Sequence, residues 1–591
     1  MGQAENPRTH HDHVCIHAGS LPCGAGRVML PPRSSAAMAR SMDNIVLRRV
    51  GFAGLGLALT LSLLGLLWRA LAPGGVTGWE WVILAAYAGT LPWSAISAAN
   101  ALLGFAILIG ARDPAAAVVP QLDRRREGAV PGFATAILVC IRQEDMAAVT
   151  PPLDRLLAGL EAAGASHRFA LWVLSDTPAP AAGEEATIAA LAARHAIPVR
   201  YRRRARNTGF KAGNVMEWCD EDSAGMEAFL CLDADSEMSA RAVLRLVSCL
   251  EADPRLAIVQ QLIVGRPAFA PFPRLFQFGM RAGMRAWATG QGWWQGDEGP
   301  YWGHNAILRI APFRAHARLE ALPDGSHILS HDQVEAVRLH AAGWKVRCLP
   351  EEDGSQEGNP PAMPEYLRRD ERWAAGNMQY LALLRLPGLT PMGRWQLWQA
   401  ILLFFGSPLW LLLLLAATGN VLSGGGAATP HGALAAVMLG TWFCYFSPKL
   451  MGYLQVLMQP AEARRYGGRA RFAWGALAEI AFTTFFEPPS VLNKAFFLLL
   501  LPFGRRSGWA AQNRADRGIG WGDAARLLWP HTLLGLAVGA ALASVSWTAL
   551  AWGAPVLAGL WLAVPLCVAT ASPRLAAWMR AAKICAIPEE P

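Results

Sequence analysis

Charge is scarce in this 591-residue chain: Asp, Glu, Lys and Arg make up 16% of it against 53% hydrophobic residues. Ordinary globular chains carry about 25% charged residues, so a chain that is water-soluble throughout is excluded. Cys-x-x-Cys pairs are also missing. The ten cysteines, at 15, 23, 140, 219, 231, 249, 348, 444, 567 and 585, follow no disulfide or zinc spacing and read as reduced thiols. No secretory-type cleavage site follows the first apolar run, which begins near residue 50. The net charge of +9 comes without a basic-aromatic module, so a nucleic-acid partner is not expected. Its arginines gather instead in short segments beside apolar runs.

Those runs are what the chain has in quantity. Residues 50–72, 80–110, 396–422, 432–458, 531–552 and 554–572 are each long enough to cross a bilayer. The stretch 472–503 holds Glu479, Glu487, Pro488, Pro489 and Lys494, and reads as an interfacial helix followed by a hairpin, or as two irregular spans. Six or eight crossings follow, with lipid as the surrounding partner. The connectors 461–471 and 504–529 carry Arg464, Arg465, Arg469, Arg471, Arg505, Arg506, Arg514, Arg517 and Arg526, whereas 73–78 and 423–431 have no lysine or arginine. Basic connectors stay in the cytoplasm, which places both termini and the block between the span groups on the cytoplasmic side of the membrane.

The expected organisation is a disordered tail over 1–45, two transmembrane helices over 46–112, a soluble domain over 113–390, a transmembrane bundle over 391–572 with a cytosolic loop at 504–529, and a cytoplasmic tail over 573–591. His10, His11, His13 and Cys15 sit in the first tail among Gly, Pro and Ser, which favours disorder, or a start near Met38 or Met42, over a metal site. In the soluble block, apolar runs at 134–141, 169–175, 198–201, 228–232 and 256–263 alternate with helical patterns such as 151–163 and 183–195. That rhythm predicts a mostly parallel, Rossmann-like α/β sheet with ligands at the carboxyl ends of its strands.

Four acidic or basic motifs punctuate this block in order: Ser175-Asp176, Asp233-Ala-Asp235, His331-Asp332 and Arg369-Asp-Glu-Arg372-Trp373. Chemistry that holds a diphosphate with a divalent metal, deprotonates an acceptor hydroxyl and steadies departing phosphates has work for all four. Asp233 and Asp235, projecting from a strand end, supply the hard oxygens that suit Mg²⁺ or Mn²⁺; capping of the next helix explains one of them but not both. Asp176 is placed for a base or ribose, or is an ordinary strand-end turn residue. Lys211, beside Gly213 in Asn207-Thr-Gly-Phe-Lys211-Ala-Gly213-Asn214, offers a point charge to phosphate, or is a solvated loop lysine. Trp302, Gly303 and His304 suit sugar faces and hydroxyls. Asp332 caps a helix or accepts the acceptor's proton, and Arg372 with Trp373 pairs a guanidinium for diphosphate with an indole for stacking.

The strings RNTGFKAGN, LDADSEMS, YWGHNAILR, LSHD, LPEEDGSQEGNPP, RRDERWAAGNMQYLALL, GWAAQNRADRGIGWGDAARLLWPHTLLGL and AIPEE resemble family 2 inverting glycosyltransferases. The closer resemblance is to the glucans biosynthesis glucosyltransferase H family of Gram-negative bacteria, from about residue 130 onward. It implies a GT-A fold, UDP-glucose as donor, Mg²⁺, and polymerisation of a β-1,2-glucan that passes to the periplasm as osmoregulated periplasmic glucan. By that resemblance Asp176 contacts the uridine, Lys211 the donor, Asp233 and Asp235 the metal and diphosphate. Asp332 is the base, and Arg372 and Trp373 hold pyrophosphate and acceptor. The segment 509–514 resembles a gating loop, and acyl carrier protein and a periplasmic glucan-processing protein are the implied partners. Two departures stand out: Cys140-Ile-Arg142-Gln143-Glu144-Asp145 stands where the family reads Pro-x-Cys-Asn-Glu-Asp, retaining Glu144 but not the Asn, and Arg369 replaces a Gln of the wider family. The latter leans against a cellulose- or mannan-type synthase. A transport subunit without catalysis is the rival of a different class, and the presence of Asp332 and Arg372 speaks against it.

Overall fold

The computed structural model describes residues 35–179, 181–505 and 517–590. The histidines of the first tail, Cys15, and the segment 509–514 lie outside the described residues.

Among the described residues ten strands form: β1 (Thr135–Ile141), β2 (Phe169–Ser175), β3 (Val199–Arg203), β4 (Ala228–Asp233), β5 (Glu237–Met238), β6 (Leu256–Gln261), β7 (Val264–Gly265), β8 (Ala306–Arg309), β9 (Lys345–Leu349) and β10 (Ser355–Glu357). Seven make one sheet in the order β3-β2-β1-β4-β8-β6-β9, parallel except for β8, which runs antiparallel to both neighbours. The runs TAILVCI, FALWVLS and LAIVQQ are buried along nearly their whole length because helices cover both faces, which is why they read as continuous apolar stretches rather than alternating ones. In register, Cys140 pairs with Asp233 and Ile141 with Ser175, so Asp233 and Asp176 reach the same carboxyl edge. A small sheet of β5, β10 and β7 stands beside that edge.

The bundle departs from expectation in four places. The first helix begins at Ser35, inside the stretch expected to be a disordered tail, although its candidate span, Asn44–Leu71, starts close to the expected residue 46. The stretch 472–503 is one continuous helix, Arg469–Leu500, with Pro488 and Pro489 inside it, rather than a hairpin or two spans. Its charges find partners in neighbouring helices and need not reach water: Lys449 donates to Glu479 at 2.5 Å, and Lys494 stands 3.1 Å from Asp370. The supposed loop 504–529 is helical from Trp521, which opens the helix Trp521–Val545. By length and apolarity, four described helices suit a membrane crossing, or five if the pair Trp547–Trp561 and Ala563–Thr570, bent by 48°, is one span. His431–Met458 and Arg469–Leu500, which share the polar cluster of Lys449, Glu479 and Thr483, are not among these four or five.

Sheet and bundle are joined by the helix Pro271–Gln295, which packs along Gly78–Gly110 through paired glycines. A Cβ on Gly104 would lie 1.8 Å from the Ala286 carbonyl oxygen, and one on Gly290 2.0 Å from that of Asn100. Only glycine lets the two backbones approach this closely.

Candidate active site

A cavity of about 1190 Å³ opens at the carboxyl edge and continues into the bundle. Nine of the expected residues line it: Lys211, Asp233, Asp235, Trp302, Gly303, His304, Asp332, Arg372 and Trp373. Asp176 and Glu144 do not.

The loop 301–305 forms one wall because a buried Gln260 grips it, accepting from the Trp302 amide at 2.8 Å and donating to the His304 carbonyl at 2.9 Å. Asn305, at φ 50°, then turns the chain into β8, donating to Ser355 at 3.0 Å. This holds His304 with Nε2 at 3.4 Å from Glu357 and 4.0 Å from Asp233, and Nδ1 at 3.2 Å from the Ser236 hydroxyl. Lys211 donates to the Gly303 carbonyl at 2.7 Å and pairs with Asp233.

Asp332 starts the helix Asp332–Ala341, beside Gly303, whose absent Cβ would stand 3.5 Å from Oδ2. Next to it, His331 is held above its usual range: burial lowers it, but Glu335, 3.0 Å away, outweighs that. The helix Met363–Met378 closes the site. Arg369 lies 4.5 Å over the Trp373 ring, and Trp373 is 47% exposed, leaving an indole face open to the cavity.

Asp176 is held by neighbouring side chains. Arg204 donates to its two oxygens, at 2.5 and 3.1 Å, and Asn214 adds a third bond at 3.1 Å. Arg204 also donates to the carbonyls of Thr208 and Phe210, so this buried cluster shapes the loop that presents Lys211. Sequence reasoning missed Glu357 as a site residue, although the string LPEEDGSQEGNPP contains it. Burial, with Asp235 and Asp233 nearby, pushes its carboxyl up despite His304 and Arg369.

Among the described residues no group of three or more His, Cys, Asp and Glu side chains is placed as a metal centre. Asp233 and Asp235 nonetheless fit a divalent cation held jointly with phosphates, which takes only one or two protein carboxylates. Asp235 has room: Gly358, without a side chain, lies against it beside Arg266.

A mixed sheet with acids at the carboxyl edge, a small flanking sheet and a motif helix closing the cavity define a GT-A-like glycosyltransferase. The family model for glycosyl transferase family group 2 matches residues 228–454. The chain is 32% identical to the glucans biosynthesis glucosyltransferase H of Xylella fastidiosa (strain 9a5c), over 96% of this chain and 91% of that one. It is 33% identical to that of Xanthomonas euvesicatoria pv. vesicatoria (strain 85-10), over 96% and 93%. Among solved structures, the mannosyltransferase PcManGT from Pyrobaculum calidifontis, in complex with GDP-Man and Mn²⁺, is 16% identical, covers 61% of this chain and 99% of its own, and has a TM-score of 0.37. The chain belongs to the glucans biosynthesis glucosyltransferase H family.

Proposed function

We propose that the chain is an inverting, processive glucosyltransferase that uses UDP-glucose to extend a β-1,2-glucan and passes it across the inner membrane for osmoregulated periplasmic glucan. The observation that carries this is the continuity of the cavity: Asp233 and Asp332 at one end share it with Trp93, Trp287, Gln399, Ser407 and Trp410 of the bundle helices. Indoles and amides along such a path suit the faces and hydroxyls of a sugar chain.

Lys211 and Arg372 neutralise the donor diphosphate, and Asp233 and Asp235 would hold Mg²⁺ or Mn²⁺. The cation, when bound, offsets charge on the departing UDP. Asp332 accepts the proton of the acceptor hydroxyl as the glycosidic bond forms at the anomeric carbon, and Trp302, His304 and Trp373 steady the acceptor. Glu144 and Asp176 belong to the nucleotide end, Asp176 acting by shaping the Lys211 loop. The arginine-rich connectors support a cytoplasmic site and termini. The two proposed protein partners, acyl carrier protein and a periplasmic glucan-processing protein, rest on the family resemblance alone.

The test is incubation of membrane vesicles carrying the protein with Mg²⁺ and radiolabelled UDP-glucose, followed by linkage analysis. A 1,2-linked β-glucan is expected; a 1,4-linked product overturns the linkage, and no product even with acyl carrier protein added favours the transport reading. Asp332→Asn is expected to lower kcat by about 10²–10⁴-fold with UDP affinity retained, because it removes a base and no phosphate contact. An equal loss of UDP affinity would sink that role.

A further inference from the structure

The helix Pro271–Gln295 has two faces. Phe276, Met280, Met284, Trp287 and Gln291, spaced three or four apart, line the cavity as one stripe. On another face lie Arg274, Phe278, Arg281 and Arg285. Arg274 and Arg281 are only 1% and 2% exposed. Their partners come from some 300 residues away. Arg281 donates to both oxygens of Glu589, at 2.6 and 2.8 Å, and Arg274 donates to Glu590 and to the Ile584 carbonyl, each at 2.6 Å.

The segment 584–590 is seated to deliver those carboxylates. The Cys585 thiol donates to the Gly475 carbonyl at 3.3 Å, and a Cβ on Gly475 would stand 2.9 Å from the Phe278 ring and 3.3 Å from the Cys585 nitrogen, so the segment is wedged between two helices. Ile587 is buried. Lys583 and Cys585 hold φ near 50°, a left-handed conformation that costs non-glycine residues energy and persists where surrounding contacts over-determine it.

We propose that residues 584–590 are a latch that fixes the channel-lining helix Pro271–Gln295, with Arg274, Arg281, Glu589 and Glu590 as positioning residues for the acceptor chain. The proposal rests on the reading of the cavity as the polymer's path. A buried guanidinium that loses its carboxylate draws toward water. Because the helix is stiff, the cavity stripe moves with it, and small misplacements of a bound chain are costly to transfer. Other pairings on the same face run to Glu352 of the sheet domain and to Glu462 of the connector 461–471: Arg281 stands 3.8 Å from Glu352, and Arg285 meets Glu352 at 3.7 Å and Glu462 at 3.3 Å, so the two-pronged bond to Glu589 is the shorter of the Arg281 contacts.

The experiment compares the full chain with its E589Q/E590Q variant and the conservative E589D variant in membrane vesicles. It reads product length, donor KM, melting temperature and hydrogen exchange of residues 271–295 without substrate. E589Q/E590Q is expected to shorten the product by about twofold to tenfold at unchanged donor KM and to speed exchange in the helix, with E589D closer to the parent. A merely structural role lowers the amount of active enzyme, and thus the yield, but leaves chain length alone. Product of parental length, whatever the yield, overturns the proposal, as does unchanged exchange. Since exchange is read without turnover, failure of the parent to make glucan is seen separately, as failure of the functional reading.

Discussion

Gly303 shows how much of the site is decided by single side chains. Its φ of 87° lies in the left-handed region, and its Cα faces Asp332 across a gap that a methyl would fill. Gly303→Ala combines a backbone cost of about 1–2 kcal/mol with a new group beside the proposed base. It is expected to lower kcat by about tenfold or more while UDP affinity, followed by calorimetry, changes by less than about twofold. A parental kcat would show that acceptor does not approach from this side. The same residue shows what was legible in the sequence. The strings YWGHN and LSHD each announced polar chemistry, and the structure brings them together. That Asp176 is saturated by Arg204 and Asn214 was not legible, because neither partner stands near it in sequence.

Among elements, the strands were the most readable and the helix Arg469–Leu500 the least. A parallel sheet covered on both faces writes itself as uninterrupted apolar runs, and β1, β2, β4 and β6 were found within about two residues. Arg469–Leu500 carries Glu479, Glu487, two prolines and Lys494, which local rules treat as interruptions. What rescues them is tertiary: Lys494 reaches Asp370 in the motif helix Met363–Met378, and neighbouring Asn493 donates to Glu371 at 3.1 Å. These contacts tie the helix bearing Arg369, Arg372 and Trp373 to the bundle. Burial already pushes the Asp370 carboxyl up, with Lys494 opposing. Lys494→Met strands that carboxylate and is expected to cost about 3 kcal/mol, seen as a lower melting temperature. Adding Asp370→Asn is expected to recover much of the loss, since the two act as a pair. Additive losses would separate them.

For the whole molecule, the arrangement matters because, in the proposed reading, synthesis and passage share one space. The sheet domain supplies the reacting end, Pro271–Gln295 a wall, and the bundle the continuation. Gly406, on the helix Pro391–Leu422, gives a way to ask whether a growing chain uses it. Gly406 lines the cavity, and a Cβ built there meets nothing within 4 Å, so a side chain enters open space without displacing neighbours. Glycine inside a helix is itself unfavourable by about 1 kcal/mol, so replacement is not expected to destabilise the fold. Gly406→Trp places an indole in the part of the cavity lined by the bundle helix Pro391–Leu422. Donor binding and hydrolysis of UDP-glucose by water, which need only the reacting end, are expected to persist near parental rates. The polymer, by contrast, is expected to be much shorter or absent. Parental chain length from a well-folded Gly406→Trp protein would mean that the glucan leaves by another route, and that chemistry and passage are not joined through this cavity.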